Sequence, residues 1–340
     1  MADEAVAISY EDLAEIEDEF AEIDDEILRK QNELSKPVYA KRAEAIAKIP
    51  NFWPLVMEQA PMEIEDCITH QDSAIFAEHL TNLTVTRPDI EDGKRGNPRS
   101  VNITLEFSPN EFFTDTVLEK AFSYRRASDG WTGLVSEPVK VHWKKGKDLT
   151  DGLTEAAIAL WDARRKVDDT TAKGLPEYKT LEKKVEHWNG SNTSFFTWFG
   201  WVSGRRYVSA EESEKANKEY AARKEARKEA RKLGKKSEAE SPEDQDEEEP
   251  EDDSVVEVHQ QGEEIAACLA EDVWPNAIKF FTQAQELDDN PEAGFEDNDM
   301  DDEESEEGDD EPIDIRSLVQ GKENGRSRDD SGPPSKRVKK

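Results

Sequence analysis

The stretch "LAEIEDEFAEIDDEILRKQNEL", residues 13–34, repeats apolar side chains at Leu13, Ile16, Phe20, Ile23, Ile27 and Leu34. Steps of 3, 4, 3, 4 and 7 residues return these side chains to one side of an α-helix, while Glu and Asp fill the other faces. No glycine interrupts Tyr10 to Ile49. Ser9 suits an N-cap with Asp12 three positions on, and acids crowd the first turns, where the helix dipole favours them. Such a helix would extend roughly 60 Å at ~1.5 Å per residue, about twice the width of a small domain. A helix that long needs a partner. Two readings stand side by side: a coiled coil with a second copy along the six apolar residues, or two helices joined near Ser35 that pack on their own domain. Pro37 removes an internal hydrogen bond and predicts a kink, with the helix resuming to about Ile49.

Beyond this helix the pattern changes period. A short helix is expected near Asp72 to Leu80. "VNITLEF" (101–107) then alternates apolar and polar residues as a half-buried strand does, and "LTVTR" (83–87) is a second candidate. "LEKAFSYRR" and "LVSEPVKVHW" flank the turn signal "SDG", with Val139, Val141 and Trp143 alternating against Lys140 and His142. Four strands in antiparallel meander order follow. "LTEAAIALWDARRKV" and "LPEYKTLEKKVEHW" are helical in pattern, and "SFFTWFGWV" is too aromatic for a surface loop. From Glu211 to Lys236 "RKEARKEARKLGKK" predicts a charged helix with no apolar stripe, solvent-exposed or awaiting a partner. "EEIAACLAEDVWPNAIKFFTQA" predicts a final helical stretch.

Of the 340 residues, 80 are acidic and 45 basic, a net charge of −35. Glu238–Asp253 and Glu286–Glu311 carry 11 and 16 of the acids and no base, so the rest of the chain is only mildly acidic. These tracts cannot fold alone, which leaves one folded module with tails. The run "DMDDEESEEGDDEP" (299–312) does not by itself distinguish a solvated tail from a ligand for a cationic partner. The two cysteines, Cys67 and Cys268, lie far apart in sequence, against a disulfide framework and for a reducing compartment. The first residues lack the basic start of a secretory signal, and the most apolar run, "FFTWFGWV", is far shorter than the ~20 residues of a membrane span. A soluble protein is expected, with no membrane partner.

Chemistry is sparse. The histidines at 70, 79, 142, 187 and 259 are scattered, with no nucleophile motif, phosphate loop or dinucleotide fingerprint nearby. Cys67, His70 and His79 have a spacing that could offer metal ligands but lack a second pair, so ordinary packed or surface roles weigh heavier. No enzyme activity, metal or cofactor is expected. "KVHWKKGK" offers Lys140, His142, Lys144, Lys145 and Lys147 around Trp143. It fits a weak phosphate-holding patch or an edge strand guarded by lysine. "PPSKRVKK" ends in Lys336, Arg337, Lys339 and Lys340, which suit either a nuclear import signal or a plain basic tail.

Four motifs in order, "KRAEAIAKIPNFW" (41–53), "WKKGKDLT" (143–150), "SFFTWF" (194–199) and "EDVWPNAIKFF" (271–281), resemble the nucleosome assembly protein (NAP) family in its SET, or template-activating-factor, branch. The resemblance implies an α+β fold. A long N-terminal dimerisation helix would carry an earmuff domain, a four-stranded antiparallel sheet covered by helices, followed by a disordered acidic C-terminal tail. It implies a nuclear histone chaperone, shuttling with the cytoplasm, that binds core histones, shields their charge and assists nucleosome assembly and disassembly without ATP hydrolysis. Leu13 to Leu34 carry over as the homodimer seam, Ile49, Phe52 and Trp53 as the anchor between helix and earmuff, and Lys140 to Lys147 as contacts to histones and, weakly, double-stranded DNA. Asp301, Asp302, Glu303, Glu304, Glu306 and Glu307 belong to the family's acidic histone-binding tail. The expected layout is 1–50 dimerisation helix, 51–200 first part of the earmuff, 201–254 inserted basic helix and acidic linker, 255–285 C-terminal earmuff helices, and 286–340 tail with the nuclear-localisation-like end. The alternatives are a scaffold regulating a histone acetyltransferase or a phosphatase, for which the inserted helix would be the docking surface, and a nucleic-acid mimic or transport adaptor acting by tail charge alone.

Overall fold

One helix, α1, runs unbroken from Tyr10 to Ile46 with Pro37 inside it in the computed structural model. The structure describes residues 10–91, 94, 96–188, 194–203, 207–232, 256–259 and 261–289. Pro37 therefore does not divide the helix in two near Ser35. The helix ends three residues short of the expected Ile49. The Ile49 amide donates to the Ile46 carbonyl in a closing turn (2.9 Å), and Asn51 at φ 56° reverses the chain into α2, Phe52–Glu58. Asparagine tolerates that left-handed conformation better than most residues.

After a short α3, Met62–Glu65, the helix α4 spans His70–His79. Thr69 and Asp72 close a reciprocal cap: the Asp72 amide donates to Thr69 Oγ1 (3.2 Å) and the Thr69 amide to Asp72 Oδ2 (2.9 Å). Four strands follow, β1 Leu80–Thr86, β2 Val101–Phe107, β3 Val117–Arg126 and β4 Thr132–Ser136, antiparallel and in meander order. Leu83 faces Leu105, which in turn faces Leu118. Alternate residues of β2 and of the first half of β3 point into the core, as the period of two requires.

The expected fourth strand is too long. Its ladder stops at Ser136, because Pro138 has no amide to donate. The Val139 amide donates instead to the Phe199 carbonyl (2.6 Å), and Trp143 keeps only an isolated bridge to Phe113. The helices α5, Leu153–Val167, and α6, Pro176–Trp188, pack on each other, and α5 also packs on a 3₁₀ turn at Phe195–Gly200. In that turn Phe195, Phe196, Trp198 and Phe199 are 0% exposed. Ser194 caps it through an Oγ that accepts from the Phe196 amide (3.2 Å) and donates to Asp72 Oδ1 (2.6 Å), tying the turn to α4.

Helix α7 covers Ala210–Lys232 and is largely solvent-exposed, as its composition predicts, but one line of its side chains is docked. Ala216 is buried, Ser213 Oγ accepts from the Arg126 amide (3.0 Å), and the Arg126 guanidinium sits 4.0 Å over the Tyr220 ring. A helix without an apolar stripe thus docks on β3 through small and polar residues. The chain closes with α8, Gly262–Ala267, a π-helical turn at Cys268–Val273, and α9, Ala277–Asp289, which packs on α2.

Candidate functional site

Helix α1 presents two faces. The apolar residues stay uncovered, with Leu13, Ile16, Phe20, Ile23, Ile27 and Leu34 between 49% and 61% exposed and Val38 extending the row at 58%. A second row, Asp18, Glu22, Asp25, Arg29 and Lys36, repeats with the same 4, 3, 4 and 7 spacing, shifted by two residues. At ~100° per residue that shift is about 200°, so it occupies the reverse face.

Each member of this second row touches the chain's own domain. The Tyr220 hydroxyl hydrogen-bonds Asp18, Lys224 pairs with Glu22 (2.5 Å), and Arg99 with Asp25 (3.0 Å). Arg29 donates to the Gly96 carbonyl (2.6 Å), and Lys36 lies 4.0 Å from Glu91. The domain is mounted on the polar side, and the apolar side faces away. Periodicity found the apolar row. The polar row carries the same period but no hydrophobic signal, and it was missed.

At its C-terminal end α1 is held by Arg42, only 7% exposed. Its guanidinium lies 4.1 Å from the Trp274 ring and 4.7 Å from Tyr39, and Nη1 donates to the Trp274 carbonyl. Trp53 stacks on Trp274 at 5.7 Å and Phe52 on Phe281 at 4.9 Å. Phe52 and Trp53 are thus buried at this junction together with Arg42, whereas Ile49 is 38% exposed. A cation on a helix gives no apolar signal, so Arg42 escaped the sequence reading.

The segment Lys140–Lys147 is more internally engaged than its composition suggests. His142 Nδ1 is 2.8 Å from an Asp115 oxygen, Lys144 donates to the Asn110 carbonyl, Lys147 pairs with Glu111 (3.0 Å), and Lys140 approaches Glu155 (3.9 Å). Lys145 is exposed. Trp143 is partly buried against the core, edge-on to Phe113 and Phe196.

Cys67, His70 and His79 do not converge. Cys67 is buried with Sγ on Gln261, and His79 Nδ1 meets Ser108. Burial, with Asp66 and Glu264 adding to it, pushes the Cys67 thiol up to about 11. No cluster able to hold a metal occurs among the described residues.

Sequence patterning also missed Lys120, which is 0% exposed and donates to the carbonyls of Glu137 (3.0 Å), Phe199 (3.3 Å) and Trp201 (2.8 Å). Burial lowers its pKa well below the ordinary lysine value. Its inward position was legible from the β3 alternation, but lysine is not read as a core residue. The acidic candidates Asp301, Asp302, Glu303, Glu304, Glu306 and Glu307, the basic end at Lys336, Arg337, Lys339 and Lys340, and Ser9 lie outside the described residues.

A family model described as nucleosome assembly protein (NAP) matches residues 4–284. A putative nucleosome assembly protein of Schizosaccharomyces pombe is 38% identical over 153 residues, 42% of this chain and 60% of that protein. NAP1-related protein 1 of Oryza sativa subsp. indica is 29% identical over 286 residues, 82% of this chain and 76% of its own length. Protein SET of Drosophila melanogaster is 33% identical over 125 residues, 36% of this chain and 43% of its own. The crystal structure of Ccp1 covers 81% of this chain and 95% of that one at 29% identity, with a TM-score of 0.47.

Proposed function

The chain belongs to the nucleosome assembly protein family, and from that premise we propose that it is a nuclear histone chaperone acting as a homodimer. The observation that carries the reading is the family match over residues 4–284 in a chain of net charge −35. Core histones are strongly basic, and an acidic protein shields that charge until DNA offers a better polyanion. No step of this exchange needs ATP. Single exposed charge pairs contribute only ~0.2–1 kcal/mol, so the acidic tracts raise the rate of capture and add avidity, while the folded surface supplies selectivity.

Two copies would pair antiparallel along Leu13, Ile16, Phe20, Ile23, Ile27 and Leu34, each carrying its domain on the reverse face of α1. The anchor at Phe52 and Trp53, joined by Arg42 and Trp274, sets the angle of the domain to that helix. Within Lys140–Lys147 the exposed Lys145 is the residue best placed for histone or weak DNA contact, since its neighbours already bind carboxylates or a carbonyl. The enzyme-scaffold alternative would need a partner surface on the inserted helix; α7 docks one line of side chains on β3 and α1, so only its outward face is left for such a contact. Import is assigned to Lys336, Arg337, Lys339 and Lys340.

The test is retention of purified core histone pairs on the immobilised full chain without nucleotide, at about 0.3 M salt, where loose surface attraction is screened. Retention is expected for at least one pair. Deleting 286–340 should weaken retention without abolishing it. Failure to hold either pair would sink the chaperone reading, and complete loss on tail deletion would favour action by tail charge alone.

A further inference from the structure

Between α1 and the sheet lies a cavity of about 480 Å³, within the ~300–1,000 Å³ usual for ligand sites. Its walls carry hydrogen-bonding side chains, Gln31, Asn32 and Ser35 from the helix and Asn82, Thr84 and Thr86 from β1, beside apolar Leu28, Ile46 and Val85. One end is closed by Trp53, Trp274 and Arg42. Strand β1 is at the edge of the sheet, and its outer side pairs with no strand among the described residues.

The charges bordering this cavity do not cancel. Lys36 has Glu91 at 4.0 Å, and Arg87 faces Glu271. Arg42 has no carboxylate partner among the described residues; its Nη1 bonds two backbone carbonyls, and its Nη2 is buried without a hydrogen-bond partner. An arginine 7% exposed with a donor unused is an unusual feature, because such groups are costly to leave unpaired. In a chain of net charge −35, this crevice carries a local excess of one positive charge.

We propose that the crevice binds an extended peptide from a partner protein through a single carboxylate. The acidic side chain closes on the Arg42 guanidinium at the tryptophan end. The peptide backbone lies along the amides and hydroxyls of the walls and adds to the free edge of β1, a recognised mode of strand addition. With the other wall charges paired and one cation left over, the crevice selects a single glutamate within uncharged, β-prone flanks and discriminates against basic segments of the histone-tail kind. The site is therefore separate from the histone-binding surface, and a failure of either leaves the other standing.

The test is calorimetric titration of the full chain with acetyl-Ser-Val-Thr-Glu-Val-Ser-amide and its counterparts carrying Gln or Lys in place of Glu. A charge-assisted bond to arginine predicts that the Glu peptide binds about tenfold tighter than the Gln peptide, with the Lys peptide weakest. The overall charge of −35 predicts the reverse order, so the ranking separates a local site from bulk attraction. Thr84→Trp fills the crevice from the strand side and leaves Arg42 and α1 unchanged; it should abolish binding of the Glu peptide. The proposal is overturned by the order Lys, Gln, Glu, by undetectable binding of all three at millimolar peptide, or by a Thr84→Trp variant that binds as before.

Discussion

Residues 13–34 and 194–201 are both rich in large apolar side chains, and the fold treats them in opposite ways. Phe195, Phe196, Trp198 and Phe199 are sealed from solvent, whereas the six residues from Leu13 to Leu34 remain about half exposed. The difference lies in arrangement. A contiguous aromatic block can be hidden only by surrounding it, which the sheet, α4 and α5 do. A stripe every three or four residues can be hidden by one more helix laid along it, and this chain spends the reverse face of α1 on its own domain. Hydrophobicity therefore predicts burial in both places, but spacing decides whether the cover comes from within the chain or is left, in the proposed homodimer, to a second copy.

The largest effect should come from charging the stripe. Full burial of one large apolar side chain is worth about 1.5–3 kcal/mol, so the triple variant Ile16→Glu, Phe20→Glu, Ile23→Glu should cost roughly 5 kcal/mol or more of association energy. Sedimentation analysis should show a dimer becoming a monomer, with the circular dichroism of the domain retained. A triple variant that sediments as the unmodified chain does would break the contrast at its outward half.

The inward half is tested by Trp198→Ala. Removing a fully buried tryptophan typically costs ~3–5 kcal/mol. The change also leaves the Gly262 carbonyl without the indole Nε1 that donates to it at 2.8 Å. Urea unfolding should show this loss, and a cost below ~1 kcal/mol would mean that the aromatic block is not the centre of the core.

Much of this contrast was legible beforehand where one face of an element is apolar and the other is not. "VNITLEF" and "LTEAAIALWDARRKV" coincide with β2 and α5 to the residue. What escaped is the work of polar groups. Val139, Val141 and Trp143 alternate as a strand would, yet Pro138 ends the ladder, and alternation alone cannot show a missing amide. Lys120 sits inward on β3 because three backbone carbonyls meet its ammonium, and those carbonyls come from segments 17 to 81 residues distant. The docking of α7 depends on Ser213, Ala216 and Tyr220, residues that give a helix no amphipathic signature. Arg42 belongs to the same class. In the candidate site the apolar stripe and the pair Phe52 and Trp53 were visible, while the cation joining them to Trp274 was not.

The buried block also carries a titration that the exposed stripe lacks. His259 is 5% exposed beside Lys120, and burial first, then the lysine charge, hold its pKa near 4, down from 6.5. The unfolded chain takes up this proton first as pH falls. The His259 contribution is therefore fully present above about pH 6.5 and is lost progressively down to about pH 4. The shift corresponds to on the order of 3 kcal/mol. His259→Gln should flatten the unfolding free energy across this window, and an unchanged slope would show that His259 is not buried neutral.

The smallest effect is expected on the reverse face of α1. Lys224 is 14% exposed and Glu22 66% exposed, so their contact is largely open to solvent on the glutamate side. Pairs of this kind contribute about 0.2–1 kcal/mol, and Lys224→Glu should cost no more than roughly that, with the added repulsion confined to one turn. The double variant Glu22→Lys, Lys224→Glu should recover most of the loss, which a purely steric role of Lys224 would not allow. The proposed dimer should persist in both variants, because the apolar stripe lies about 200° around the helix from Glu22. A monomer in the single variant would mean that the two faces of α1 are not independent, and that the docking of α7 helps to hold the seam in register.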